Sequence, residues 1–208
     1  MLFRESAKYK ETDHQAYDLQ SGDVLCKYYA GGAVGTGIMA GQAVMHPFAK
    51  SKTVVHTALY IGDGEVAEAS AGGIHINKLD DNLKRFKYKV YRYTAKERDK
   101  LIPAIIERVY SNKAMTNDYS MRRAIGSNLS YGKSEAPNEE KMLLIDTCDV
   151  FCSGTVVDWY NRTAYDLNYS APFPKQGNDL SPQALDGLLK HLPNWEFIQK
   201  MPLSYLRI

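Results

Sequence analysis

The sequence predicts an α+β fold, an antiparallel β-sheet packed against helices, on three observations. Two β-prone runs, Val54–Ile61 and Glu65–Ser70, flank Gly62-Asp63-Gly64, the pattern of a hairpin. A further run, Tyr88–Tyr93, alternates in character and extends that sheet antiparallel. Apolar residues at helical spacing then recur around Leu101–Val109, Val150–Tyr160 and Leu185–Leu189. With 208 residues, 44% of them hydrophobic and 24% charged, the chain can bury a core of its own, which excludes disorder, collagen-like repeats and a coiled coil. The 26 Lys+Arg are balanced by 24 Asp+Glu and form no long basic run, so the clustered cations that nucleic-acid phosphates demand are missing.

The elements follow in order. Residues 1–20 read as a polar lead-in and residues 21–208 as one domain. The first residues, MLFRESAKYKETDH, mix charges and lack an apolar core, so no secretory signal is predicted and the chain is expected to be cytoplasmic as made. Three cysteines, an odd number without regular spacing, leave at least one thiol free and suit a reducing compartment. Ser21-Gly22-Asp23 is a turn feeding the apolar strand Val24–Cys26. Tyr28–Ala49 carries no charge, yet Gly31, Gly32, Gly35, Gly37, Gly41 and Pro47 dilute it too far for a spanning helix. Its glycine run lacks both the Gly-Lys-Ser/Thr ending of a phosphate loop and the spacing of a dinucleotide fingerprint, and reads as a loop leading into a short helix at Ile38–Val44. Thr94 with Glu97 forms a capping box for the helix carrying Leu101, Ile102, Ile105, Ile106 and Val109, which Pro103 either kinks or opens. The chain from Asn112 to Asn138 is polar, with an exposed loop at Tyr131–Asn138. A helix is predicted over Asp146–Asn161, capped by Thr147 or Asp149, and a last one after the cap Ser181-Pro182.

Cys152 falls near the first turn of its helix. There the unpaired N–H groups and the helix dipole favour a thiolate, and the small Ser153-Gly154 would let a substrate carbonyl reach those groups. The alternative is a buried thiol acting as a small hydrophobe. Cys26 reads as core. A zinc pair of Cys148 with Cys152 would need a second half-site, and none is present, so no metal or cofactor is expected.

Among five histidines, only His56 lies on a confident strand. If Gly62-Asp63-Gly64 is a three-residue loop, Ile61 pairs with Glu65, and His56, Ala58, Glu68 and Ser70 share a face, with Glu68 diagonal to His56. A two-residue Asp63-Gly64 loop would turn Glu68 to the other face. Taken alone, His56 also reads as a structural histidine and Glu68 as a solvated hairpin carboxylate. Together, Cys152, His56 and Glu68 make a nucleophile, a base and a group to orient the base.

The chain resembles the circularly permuted papain-like hydrolases of the NlpC superfamily, YiiX-like proteins in particular, and more distantly the lecithin:retinol acyltransferase group. The likeness rests on Gly22-Asp23-Val24-Leu25, on Gly37–Gln42, on His56–Ala69, and on Phe151-Cys152-Ser153-Gly154-Thr155-Val156-Val157, with His preceding Cys. It runs in patches from Gly22 to the Leu180–Leu185 region. The resemblance implies an antiparallel sheet against helices, Cys152 as nucleophile, His56 as general base and acid, and Glu68 as the third member. Ser153-Gly154 departs from the more usual Ser followed by a larger residue, and Tyr119 corresponds either to a family aromatic near the cleft or to a packing residue.

The implied activity is a cysteine peptidase or amidase acting through an acyl-enzyme, with peptidoglycan peptides as substrate. For a chain without a signal, that substrate implies export by a specialised secretion system, as an antibacterial toxin with a cognate immunity protein as partner. Two alternatives stand beside it. One is a lipid acyltransferase or deacylase whose uncharged Tyr28–Ala49 segment contacts acyl chains; the other is a non-catalytic binding module.

Overall fold

A computed structural model describes residues 17–28, 54–70, 73–83, 86–115, 152–174 and 180–201. In these the chain is α+β. Strands β1 (Val24–Tyr28), β2 (Val54–Gly62), β3 (Glu65–Ser70) and β4 (Gly73–Lys78) precede a short helix, α1 (Leu79–Leu83). Strand β5 (Tyr88–Tyr93), helices α2 (Arg98–Met115), α3 (Cys152–Asp166) and α4 (Pro182–Leu189), and strand β6 (Trp195–Met201) follow. The six strands form one sheet in the order β4-β3-β2-β1-β5-β6, and every neighbouring pair is antiparallel.

β1 lies in the middle, and its Val24, Leu25 and Cys26 have no exposed surface. Alternation divides them between two apolar clusters. Val24 and Cys26 belong to a cluster with Leu59, Tyr91, Val156, Val157, Trp159, Tyr160 and Leu185, whereas Leu25 joins Ala58, Tyr60, Leu79, Leu83, Tyr88 and Val90. α3 packs across β2, β3 and α2, and α4 against β2 and β6. Tyr17 and Leu19, from the stretch read as a lead-in, pack on the second cluster, and Arg92 reaches the Asp18 carbonyl at 2.7 Å.

The turn before β1 is held from several sides. The Gly22 amide donates to the Tyr60 carbonyl at 2.8 Å, and its own carbonyl accepts from the Tyr160 hydroxyl. Asp23, fully buried, takes two bonds from the Arg92 guanidinium, both 2.9 Å, and one from the Gln20 amide. Gly22 sits at φ +89°, and a Cβ there would stand 2.5 Å from Ile102 Cδ1. Gly22→Ala is therefore expected to combine backbone strain with overpacking and cost about 1–3 kcal/mol. Urea unfolding checks this, and an unchanged midpoint would contradict it.

The hairpin resolves the register in an unforeseen way. Its loop has two residues, Asp63 and Gly64, both at positive φ (50° and 70°), and Gly62 pairs with Glu65. A bulge between Tyr60 and Gly62 then absorbs one residue of β2, so beyond it Leu59 pairs with Ala67, the phase of the three-residue loop.

Several boundaries also differ from the sequence-based expectation. α2 begins at Arg98 after a turn, because the Glu97 carboxylate is occupied by the Tyr93 hydroxyl at 2.6 Å instead of closing a capping box. Pro103 lies inside that helix, not at its first turn. α3 continues to Asp166, and Ser181 caps α4 by accepting from the Ala184 amide. β4, β6 and α1 were not anticipated. The Ile38–Val44 helix, the Tyr131–Asn138 loop, the caps Thr147 and Asp149, Tyr119, Cys148 and nearly all of Tyr28–Ala49 lie outside the described residues. Among the described residues, no helix is long and apolar enough to cross a membrane.

Candidate active site

Three elements deliver three side chains to one place. Cys152 is the first residue of α3, where the amides of the first turn have no helical acceptor. His56 is near the start of β2, the strand that α3 crosses. Glu68 is carried on β3, and the register set by the bulge brings it to His56. The His56 Nε2–H donates to Glu68 Oε2 at 2.6 Å, and the imidazole also hydrogen-bonds the Cys152 thiol, for which Nδ1 is the remaining nitrogen. The backbone amides of Thr57 and Ser153 point at the same sulfur. Cys152 is 2% exposed, whereas the His56 side chain keeps 16%.

The electrostatics follow from these contacts. Burial alone would push the Cys152 thiol up, but the His56 charge, the His56 hydrogen bond and the two amides outweigh it, and the thiol is lowered. Burial likewise opposes a charged His56. The thiolate, together with the bonds to Cys152 and Glu68, prevails over burial and over the nearby Lys27 charge, and His56 is pushed up to about 9. Glu68, despite its burial, is held well below the usual carboxylate range by the His56 bond and charge, by Lys27 and by Asn77. These directions favour a thiolate–imidazolium pair backed by a carboxylate.

Sequence reasoning missed the groups around Glu68. Lys27 of β1 places its ammonium 3.4 Å from Oε2, Asn77 of β4 donates to Oε1 at 2.8 Å, and Asn82 of α1 donates to Oε1 at 3.5 Å. Asn77 was within reach of the sequence, since Gly73-Ile74-His75-Ile76-Asn77 alternates as a strand should. Ser153 differs from expectation in detail. Its side chain is buried and donates to the Leu180 carbonyl at 2.6 Å, so it fastens α3 to the segment before α4. Cys26 is core, paired across the sheet with Thr57, and burial pushes its thiol far up. Among the described residues, no group of three or more His, Cys, Asp or Glu is arranged to hold a metal ion. The chain matches no family model and no curated protein.

The pair has a pH signature. Cys152 is lowered by His56 and the two amides, and His56 is raised to about 9, so the pair favours thiolate with imidazolium below about pH 9. The alkylation rate of Cys152 by iodoacetamide is expected to show a lower inflection beneath the free-thiol value of about 8.5, and an upper one near 9 as the imidazolium is lost. A single inflection at the free-thiol value would refute the pair.

Proposed function

We propose that the protein is a cysteine hydrolase of the permuted papain-like kind, cleaving an amide bond in peptidoglycan peptides. The observation that carries this reading is the Cys152 thiol at a helix N-terminus in hydrogen-bond contact with His56, whose other nitrogen is held by Glu68. The α+β architecture, and a base that precedes the nucleophile in the chain, support the same reading.

The Cys152 thiolate attacks the scissile carbonyl, and the oxyanion develops beside the N-terminal amides of α3. The imidazolium of His56 gives its proton to the leaving amine as the C–N bond breaks, leaving a thioester on Cys152. A water molecule enters, His56 removes its proton, and the hydroxide displaces the thiolate. This releases the carboxylic acid and restores the charged pair. Glu68 stays ionised throughout, fixing the tautomer and orientation of His56 and stabilising its positive form.

Purified protein incubated with isolated bacterial peptidoglycan, alongside protein pre-alkylated at Cys152, tests the reading. New soluble fragments that depend on a free Cys152 are expected, and their masses would locate the cleaved bond. If no fragments form while Cys152 still alkylates rapidly at neutral pH, peptidoglycan is excluded and other acyl substrates, lipid esters among them, take its place.

A further inference from the structure

Lys27 is unusual for its charge and its place. It occupies the fourth position of the central strand β1, its side chain is 10% exposed, and the cross-strand residue opposite it on β2 is His56. Its ammonium stands 3.4 Å from Glu68 Oε2 and lies over the Phe86 ring, 3.9 Å from the centroid, with Tyr88 at 5.9 Å on the next strand. A buried lysine loses hydration that only a well-placed anion and an aromatic face can replace. Here the same carboxylate oxygen meets both Lys27 Nζ and His56 Nε2, so a single anion is shared by two cations.

We propose that Lys27 is a positioning residue of the site: its ammonium, 3.4 Å from the carboxylate oxygen that it shares with His56, opposes the charge of the imidazolium and so sets the pH above which His56 no longer carries a proton for the leaving group. This rests on the hydrolase reading above. Among the described residues, the groups facing His56 and Glu68 are Cys152 from α3, Lys27 from β1, Asn77 and His75 from β4, Asn82 from α1 and Tyr88 from β5. His75 is the cross-strand neighbour of Glu68. Lys27 is among the groups that act on His56, where it works against protonation.

The iodoacetamide profile of Cys152 reads this without any substrate. In Lys27→Met the upper inflection is expected to move to higher pH by about one unit, the size of effect that a unit charge within 4–6 Å exerts. Lys27→Arg, which retains the charge, is expected to hold it near the wild-type position. If Lys27→Met fails to fold, Lys27→Met/Glu68→Gln, which removes the buried lysine and the carboxylate together, is compared with Glu68→Gln alone, and the double variant is expected to show the higher inflection. Two inflections in the wild type with the upper one unmoved by loss of Lys27 would overturn this role and leave the hydrolase reading standing. A single wild-type inflection at the free-thiol value would overturn that reading, and the role with it.

Discussion

His56→Ala is expected to abolish turnover and, at the same time, to raise the pKa of the thiol it leaves behind. The loss of rate should be at least about 10³-fold, as when a member of a nucleophile–base pair is deleted. The direction of the thiol shift follows from the balance at Cys152, where burial pushes upward and His56 contributes the two strongest opposing influences. With His56 gone, only the Thr57 and Ser153 amides remain of the groups named above, against almost complete burial. Cys152 should then alkylate more slowly at neutral pH than a free cysteine and inflect above about 8.5. Wild-type reactivity in a folded His56→Ala chain would show that the helix N-terminus alone activates the thiol.

The second large effect concerns stability. Asp186 of α4, with a side chain 1% exposed, accepts from Lys89 at 3.0 and 2.7 Å, from the Tyr91 hydroxyl at 2.7 Å and from Lys190 at 2.8 Å. Asp186→Leu would strand the Lys89 ammonium, whose side chain is 9% exposed. Leaving a buried charge uncompensated costs about 3–5 kcal/mol, which lowers the melting temperature by roughly 10 °C in a chain of this size. Lys89→Met/Asp186→Leu, which removes both charges, should recover much of that loss.

The pH dependence of Asp186 has a definite sign. Burial raises the carboxyl, but the bonds from Lys190, Lys89 and Tyr91 outweigh it and the group is lowered. Its contribution is therefore present above the unfolded value of about 3.9 and is lost as pH falls through the folded one. Asp186→Leu should accordingly flatten the acid limb of stability below about pH 4. Equal melting temperatures for wild type and Asp186→Leu at neutral pH would contradict the account.

What the sequence made legible was whatever local pattern specifies. The β2–β3 hairpin, β5 and the cap of α4 each rest on residues within a few positions of one another, so propensity and turn chemistry were sufficient. The bulge at Tyr60–Gly62 was not legible, because the choice between bulge and longer loop depends on which phase buries Ala58 and Leu59 against distant residues. β6 was missed because Trp195-Glu196-Phe197-Ile198-Gln199 breaks strict alternation, and its place is fixed by β5, more than a hundred positions earlier in the chain. At the site, Cys152, His56 and Glu68 could each be named from residue type and local setting. Lys27 could not, since a lysine ending an apolar strand ordinarily projects into water. Its burial follows from Phe86 and Glu68, which reach it only after β1 has been flanked by β5 and β2.

The order in which the ribosome delivers these parts has a chemical consequence. Lys27, His56, Glu68 and Asn77 all emerge before β5, on strands that pair with their immediate spatial neighbours, whereas Cys152 arrives on α3 much later. A nascent chain that ends before residue 152 carries Lys27, His56, Glu68 and Asn77 but not the Cys152 thiol. On the proposed hydrolase reading, the nucleophile is thus the last of these residues to be synthesised, and no shorter nascent chain carries the group that attacks.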